Sequence, residues 1–235
     1  MNWTSIDRTS RSLLTLNRDR EYHTLRQMLS LQHGDTVLDV GSGDGFWTAR
    51  LATYCAAVIG LEPSDELLGY ARMLNNRSNL SYVQGTAERM PFPEATFDKV
   101  ISISCIEHFT DPFLGLQEMA RVLKPGGRMA ISVDSLLPEN SSASYREWHK
   151  HRHFVTRYFR QDELFEMIQR AGLHGAPERT VHLFRSRAAA YVRQIVTRRP
   201  RASLPLFPVV YPIVRLADSI ANDTHGQIVI VTATR

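Results

Sequence analysis

The sequence predicts an α/β fold in which helices cover both faces of a mostly parallel, doubly wound, seven-stranded sheet. Two observations predict it. Between residues 36 and 133, short apolar runs alternate with segments of helical periodicity, and alternation at this spacing produces a parallel sheet. A glycine-rich turn also follows the first apolar run, where a strand leads into a helix.

Each strand of the predicted sheet is a short apolar run. The first five are residues 36–40, 56–61, 80–83, 99–104 and 128–133, and two more are expected at 180–184 and 227–234. Helical periodicity follows the first and second runs and returns at 113–123 and 161–171. The turn 124–127 should stop the third of these helices, because proline cannot continue a helix and glycine accepts the positive φ of a cap.

Three segments lie outside this alternation. Residues 1–33 predict a helical cap of one or two amphipathic helices, and residues 136–158 and 185–225 are interpreted as insertions over the active face. The later insertion contains the apolar stretch 204–214, where three prolines should prevent a continuous helix.

Composition fits one domain over residues 1–235, because 43% of the 235 residues are hydrophobic. No apolar run is long enough to span a bilayer, and the first residues are too polar for a secretory signal, so a cytoplasmic protein is expected. Cys55 and Cys105 lie in apolar segments and should be reduced core thiols. The formal net charge is +4, and arginines cluster late in the chain.

The strongest functional signal is the heptapeptide Asp39-Val40-Gly41-Ser42-Gly43-Asp44-Gly45 at the end of the first strand. Its glycines allow a ligand to approach the backbone closely. A nicotinamide cofactor is disfavoured, since its fingerprint needs a glycine where Phe46 stands. Asp39 lies where a carboxylate can hold a cationic amino group.

This heptapeptide resembles the first motif, D-x-G-x-G-x-G, of class I S-adenosylmethionine-dependent methyltransferases, in particular the small-molecule branch with quinone- and menaquinone-type enzymes. The resemblance covers about residues 34–135 and includes the segments 85–92, 97–104 and 123–127. It implies a Rossmann-like sheet of order 3-2-1-4-5-7-6 whose seventh strand is antiparallel. It also implies S-adenosylmethionine as cofactor and S-adenosylhomocysteine as product.

The resemblance also implies the cofactor site. In the family, an acid at the end of the second strand, here Glu62, accepts both ribose hydroxyls, and the loop at Thr86 and Ala87 lies beside the adenine. The complete expected set is Asp39, Gly41, Ser42, Gly43, Gly45, Glu62, Pro63, Thr86, Ala87, Glu88 and Ser104.

The acceptor side is expected to use histidine. Methyl transfer from a sulfonium needs mainly orientation and exclusion of water, but an oxygen acceptor benefits from a general base. His108, just after the fourth strand, and His153 are the candidate catalytic residues. No metal is expected, because similar quinone-type enzymes carry an acid where this chain has Ser104.

His153 belongs to a triplet with His149 and His151, whose alternation would place all three on one face of a strand. Such a triplet could bind a metal. The intervening Lys150 and Arg152 favour a solvated or anion-facing segment instead.

The leading hypothesis is methyl transfer to the oxygen of a small, apolar or partly aromatic acceptor, with carbon or nitrogen as open alternatives. A nucleic-acid methyltransferase is disfavoured, because residues 104–107 lack the Asp/Asn-Pro-Pro-Tyr pattern that such enzymes show. A non-catalytic module that binds the cofactor is a further alternative. Residues 198–214 combine arginines with apolar side chains and could make peripheral contact with an anionic membrane.

Overall fold

A parallel sheet forms the centre of the fold. The computed structural model describes residues 8–175, 179–203, 205, 207–221 and 225–235. Its five parallel strands are β1 (Thr36–Val40), β2 (Ala57–Glu62), β3 (Leu80–Gln84), β4 (Phe97–Ile103) and β5 (Leu123–Asp134). Three antiparallel strands complete it: β6 (His174–Gly175), β7 (Val181–Leu183) and β8 (Ile228–Thr234).

The strand order is β3-β2-β1-β4-β5-β8-β6, with β7 also paired to β8. This confirms the predicted order, in which the last strand inserts antiparallel next to the fifth. The described residues form eight strands rather than seven, because two short segments share the outer edge of β8. The order reverses between β1 and β4, and at such a point the carboxyl ends of the strands leave a crevice for ligands.

Helices pack on both faces of the sheet, as predicted for a doubly wound fold. They are α1 (Arg8–Leu29), α2 (Phe46–Leu51), α3 (Asp65–Leu74), α4 (Pro112–Val122), α5 (Ala143–His153), α6 (Gln161–Arg170), α7 (Arg187–Arg198), α8 (Pro200–Ser203) and α9 (Phe207–Ser219). One apolar cluster joins the sheet to α4 and α6, and a second joins it to α1 and α2. Within the described part of the chain, no helix is long and apolar enough to cross a bilayer.

Helix ends follow the local sequence in most places. The Ser64 hydroxyl accepts a hydrogen bond from the Leu67 amide at 3.3 Å and caps α3. The helix α6 ends at Arg170, and Gly172, two residues later, has a left-handed backbone. Cys55 and Cys105 are both free thiols, as expected.

The predicted glycine cap between α4 and β5 is wrong. The helix ends at Val122, and the capping residue Leu123 is extended, with φ −68° and ψ 141°. In the pairing of β4 with β5, Phe97 lies opposite Leu123, but Lys99 lies opposite Arg128. Residues 124–127 of β5 are therefore extra residues that form a bulge within this long strand.

Two further predictions are corrected by helices in the insertions. The histidine triplet lies in α5 and not in a strand. The predicted interruption of the apolar stretch 204–214 is corrected in part: α8 ends at Ser203, before Pro205, but residues 207–219 form a helix that continues through Pro212. Residues 204 and 206 of the predicted apolar stretch lie outside the described residues.

One buried carboxylate fastens α9 to the rest of the fold. Asp218 is fully buried; its Oδ2 accepts hydrogen bonds from the Arg20 guanidinium of α1 at 2.6 Å and from the Phe184 amide at 3.1 Å. Its Oδ1 accepts from the Ser186 amide at 3.0 Å and from the Arg185 amide. Asp218 therefore joins α9 to α1 and to the segment that begins α7.

Candidate active site

The glycine loop after β1 adopts a backbone that only glycine tolerates well. Gly41, Gly43 and Gly45 have φ values of 79°, 56° and 77°, in the left-handed region. A Cβ on Gly41 would lie 2.0 Å from the sulfur of Cys105, and one on Gly45 would lie 2.2 Å from the hydroxyl of Tyr82. Close packing therefore adds to the backbone requirement at both positions.

Glu62 holds this loop against the end of β2. Its Oε2 accepts a hydrogen bond from the Gly43 amide at 3.1 Å, and its Oε1 accepts one from the Ser64 amide at 3.1 Å. The carboxylate is 8% exposed and lies in the wall of a cavity. The loop thus places an acidic group at the edge of the sheet where the strand order reverses.

The first cavity has a volume of about 440 Å³. It brings together seven of the predicted site residues: Gly41, Glu62, Pro63, Thr86, Ala87, Glu88 and His108. Cys105, Phe109 and Thr110 also line it, and the sequence analysis did not predict them. The end of β4 was the available signal, since strands that flank a reversal of order both open onto the crevice.

Asp39 is placed behind the glycine loop and is absent from the wall of the first cavity. It is 2% exposed, and its Oδ2 accepts a hydrogen bond from the Thr48 hydroxyl at 2.6 Å. Burial raises the pKa of Asp39 to about 6, with the Thr48 hydrogen bond opposing and the Glu62 charge reinforcing the rise. Ser42, Gly43 and Gly45 likewise form the loop without lining this cavity.

A second cavity, of about 140 Å³, lies on the other side of His108. The predicted residues Ser104, His108 and His153 line it. The Ser104 hydroxyl donates to Glu21 at 2.6 Å, so Ser104 belongs to this cavity rather than to the first. The remaining lining residues, which the sequence analysis did not assign, are Arg18, Glu21, Asp134, His149, Val155, Arg193, Thr197 and Ile228.

His108 lines both cavities. It ends a short 3₁₀ helix, Ile106–His108, that follows β4. Its Nδ1 lies 3.2 Å from the carbonyl oxygen of Phe154. Because a carbonyl can only accept, Nδ1 carries the proton in this contact, and the lone pair is left on Nε2. His108 therefore lies in the walls of both cavities, with Nε2 outside this hydrogen bond.

The helical spacing of α5 separates the three histidines. His149 and His153 lie one turn apart, with ring centroids 4.6 Å from each other, and both line the second cavity. His151 is exposed and contacts Glu147 at 2.8 Å. Among the described residues, no group of three or more potential ligands could hold a metal ion.

Burial keeps the α5 histidine pair neutral. It lowers the pKa of His149 and of His153 to about 4, and the neighbouring Asp134 carboxylate only partly opposes this in each case. The Nε2 of His153 is buried without a hydrogen-bond partner among the described residues. A neutral imidazole of this kind can donate to or accept from a bound hydroxyl, but it is a weak base.

Two buried acids near the second cavity differ in their pKa shifts. Although burial alone would raise it, the pKa of Asp134 is lowered by the Arg193 guanidinium, with which Asp134 forms an ion pair. Burial raises the pKa of Glu107 well above its ordinary value, and the Asp134 charge adds to this. The cavity therefore has an Asp134–Arg193 ion pair at its wall, and the neighbouring Glu107, which accepts a hydrogen bond from the Asp134 amide, binds its proton more tightly than an ordinary glutamate does.

Comparisons with known proteins agree with this geometry. Residues 38–131 match the family described as "Methyltransferase domain". The biotin biosynthesis bifunctional protein BioHC of Cellvibrio japonicus is 37% identical over 139 residues, which are 58% of this chain and 27% of that protein. A ubiquinone biosynthesis O-methyltransferase of Cereibacter sphaeroides is 30% identical over 149 residues, which are 60% of each chain.

Among solved structures, a putative methyltransferase of Bacillus halodurans superposes with a TM-score of 0.67 at 23% identity, over 92% of this chain and 98% of that one. This likeness concerns the fold. The chain spans less than two thirds of the length of the curated relatives it matches. Residues 38–131 are therefore similar to a methyltransferase domain.

Proposed function

We propose that the protein transfers the methyl group of S-adenosylmethionine to an oxygen of a small acceptor bound in the second cavity. The observation that carries this proposal is the position of His108, which lines both cavities. A donor in the first cavity and an acceptor in the second would meet at this residue.

The first cavity fits S-adenosylmethionine in shape and in chemistry. The left-handed glycines leave the backbone open to close approach, and Glu62 presents carboxylate oxygens suited to ribose hydroxyls. Ala87 and Phe109 add apolar surface suited to an adenine ring. When bound, the cofactor supplies an activated methyl group on a sulfonium, and the protein contributes orientation and a site that excludes water.

The second cavity supports oxygen as the methylated atom. Nε2 of His108 is available to take the proton of an acceptor hydroxyl, and the neutral His153 can hold that hydroxyl by a hydrogen bond. Carbon or nitrogen methylation also releases a proton, so the base alone does not select the atom; the neutral His153 beside it favours a hydroxyl that both histidines can bind. The similar proteins include a ubiquinone biosynthesis O-methyltransferase and a sterol 24-C-methyltransferase, and the choice of oxygen therefore rests on the two histidines.

The charges of the second cavity refine the expected acceptor. Arg18, Glu21, Asp134 and Arg193 all line it, so an entirely apolar molecule would remove water from charged groups and supply no hydrogen bonds in its place. We propose a hydroxylated, partly aromatic acceptor, whose ring can lie beside the histidine pair. A nucleic acid is disfavoured, because a cavity of about 140 Å³ is small and its wall contains two acids.

Transfer of a labelled methyl group tests the proposal. Titration calorimetry with S-adenosylmethionine, S-adenosylhomocysteine and NADH first tests the donor site, and binding of the first two alone is expected. A panel of phenols, hydroxyquinols, amines and oligonucleotides then tests the acceptor, with label expected only in hydroxylated compounds. NADH binding would contradict the donor assignment, and label in amines or oligonucleotides alone would contradict the acceptor assignment.

A further inference from the structure

The helices of the late insertion expose an apolar face that the proposed methyl transfer does not use. The α7–α9 face consists of Tyr191, Ile195, Val209, Ile213, Leu216 and Ile220, which are 65%, 40%, 66%, 63%, 66% and 80% exposed. Val209, Ile213 and Leu216 of α9 and Ile220 directly after it follow one another at intervals of four, three and four. They therefore form one stripe along one side of a helix.

The side of α9 that faces α7 also carries apolar residues. Val214 is 7% exposed and, with Val210, lines a cavity of about 360 Å³ between α9 and α7. Tyr191 and Ile195 of the α7–α9 face belong to the wall of the same cavity. An apolar cavity thus adjoins an apolar surface, and water solvates both poorly.

Arginines dominate the charge of the insertion 185–225 that carries this face, in which Asp218 and Asp223 are the only acids. Residues 185–221 contain seven arginines and a single acid, Asp218, and that acid is fully buried. Arg187, Arg198, Arg199 and Arg215 are exposed. This segment therefore has a formal charge of +6, seven minus one, although the whole chain has +4.

We infer that the α7–α9 face docks on the surface of an anionic lipid bilayer. Apolar side chains at such a surface enter the boundary between headgroups and acyl chains, and flanking arginines bind lipid phosphates. The cavity between α7 and α9 offers space for the end of one acyl chain. Peripheral contact agrees with the finding that no described helix can span a bilayer.

The charge pattern disfavours a second copy of the chain as the occupant. A two-fold interface brings the same patch of both subunits together. The four exposed arginines of one copy would then lie close to those of the other, and Asp218, the one acid within 185–221, is buried and cannot face them. An anionic membrane supplies the missing negative charge.

Sedimentation with vesicles tests this inference without reference to methyl transfer. The full chain is mixed with vesicles of equimolar phosphatidylcholine and phosphatidylglycerol, or of phosphatidylcholine alone. We expect binding to the anionic vesicles that is about tenfold tighter and that weakens as salt is added. Equal binding to both vesicles, or binding to neither, would overturn the inference.

A matched pair of variants distinguishes the face from general surface hydrophobicity. Ile213→Glu/Leu216→Glu should weaken binding about tenfold or more, because two side chains no longer enter the lipid. Met73→Glu/Leu74→Glu on α3 is the control, since those residues are 67% and 54% exposed, and it should bind as the wild type does. Circular dichroism and cofactor titration verify that both variants are folded.

Equal effects of the two pairs would refute docking through α7 and α9. Analytical ultracentrifugation tests the alternative that a second copy of the chain occupies the face. A wild-type dimer that dissociates in Ile213→Glu/Leu216→Glu would assign the face to a second copy and overturn the inference. Failure of methyl transfer alone would leave vesicle binding unchanged, so the two proposals fail separately.

Discussion

Replacement of Glu62 by alanine is the sharpest test of the donor site. The carboxylate accepts hydrogen bonds from the amides of Gly43 and Ser64, each at 3.1 Å, and we propose that it also binds the ribose. Hydrogen bonds to a charged group contribute about 1.5–3 kcal/mol each. The loop amides can turn to water in the variant, so we expect a loss of about 1–3 kcal/mol in binding, or about 5- to 150-fold in Kd.

Titration calorimetry with S-adenosylhomocysteine measures this loss. Glu66→Ala is the matched control, since it removes the same charge from an exposed position in the first turn of α3 and should change Kd less than about twofold. Glu62→Gln should resemble the alanine variant, because the NH2 of the glutamine side chain would face one of the two backbone N–H donors. A Kd for Glu62→Ala within twofold of that for Glu66→Ala would refute the assignment.

Three further predictions concern the loop and the base. Gly41→Ala should lower the free energy of unfolding by about 2–4 kcal/mol, because its Cβ would lie 2.0 Å from the Cys105 sulfur in a left-handed backbone. Cys105→Ala in the same chain should restore part of it, and denaturant unfolding without any such recovery would contradict the steric cause. Affinity for S-adenosylmethionine should fall as pH drops through about 6, because protonation of Asp39 removes a negative charge near the cationic donor. Asp39→Asn should flatten this titration, and an unchanged profile would exclude Asp39. His108→Ala should lower kcat by about 10²- to 10⁴-fold with little change in the Kd of S-adenosylhomocysteine, and normal turnover would return His108 to a structural role.

Ionisation of Asp39 should have opposite effects on cofactor affinity and on the stability of the fold. Burial raises its pKa from 3.8 to about 6 in the folded protein. The folded state therefore holds the proton more tightly than the unfolded state does, and the contribution of this group to stability falls as pH rises from about 4 to about 6. Thermal unfolding of Asp39→Asn against the wild type at pH 5 and pH 7 measures this difference, and the variant should lose less stability over that interval.

Local chemistry made the donor side predictable from the sequence. The spacing of Gly41, Gly43 and Gly45 requires a particular backbone wherever it occurs, and Glu62 lies at a strand end that the apolar pattern already locates. Such features depend on residues that are close together in the chain. The order of the strands, by contrast, was implied by the resemblance to the methyltransferase family, and the structure confirms it.

The acceptor side was not predictable in the same way. Arg18, Glu21, Asp134 and Arg193 come from α1, β5 and α7, which only the folded chain brings together at one cavity. The histidines of α5 have a period of two in sequence, but burial of Tyr145 and His149 at helical spacing decides the conformation. The 124–127 bulge likewise results from pairing with β4, which overrides the local preference for a turn.

Asp218 couples the unfolding of α9 to that of the segments it binds, although one side of α9 is exposed. Unwinding this helix would also release Arg20 of α1 and the amides of residues 184–186. These segments should consequently open together as one cooperative unit, and their amide hydrogens should exchange with deuterium at similar rates. Since α1 also supplies Arg18 and Glu21 to the second cavity, the wall of that cavity and α9 should belong to the same cooperative unit.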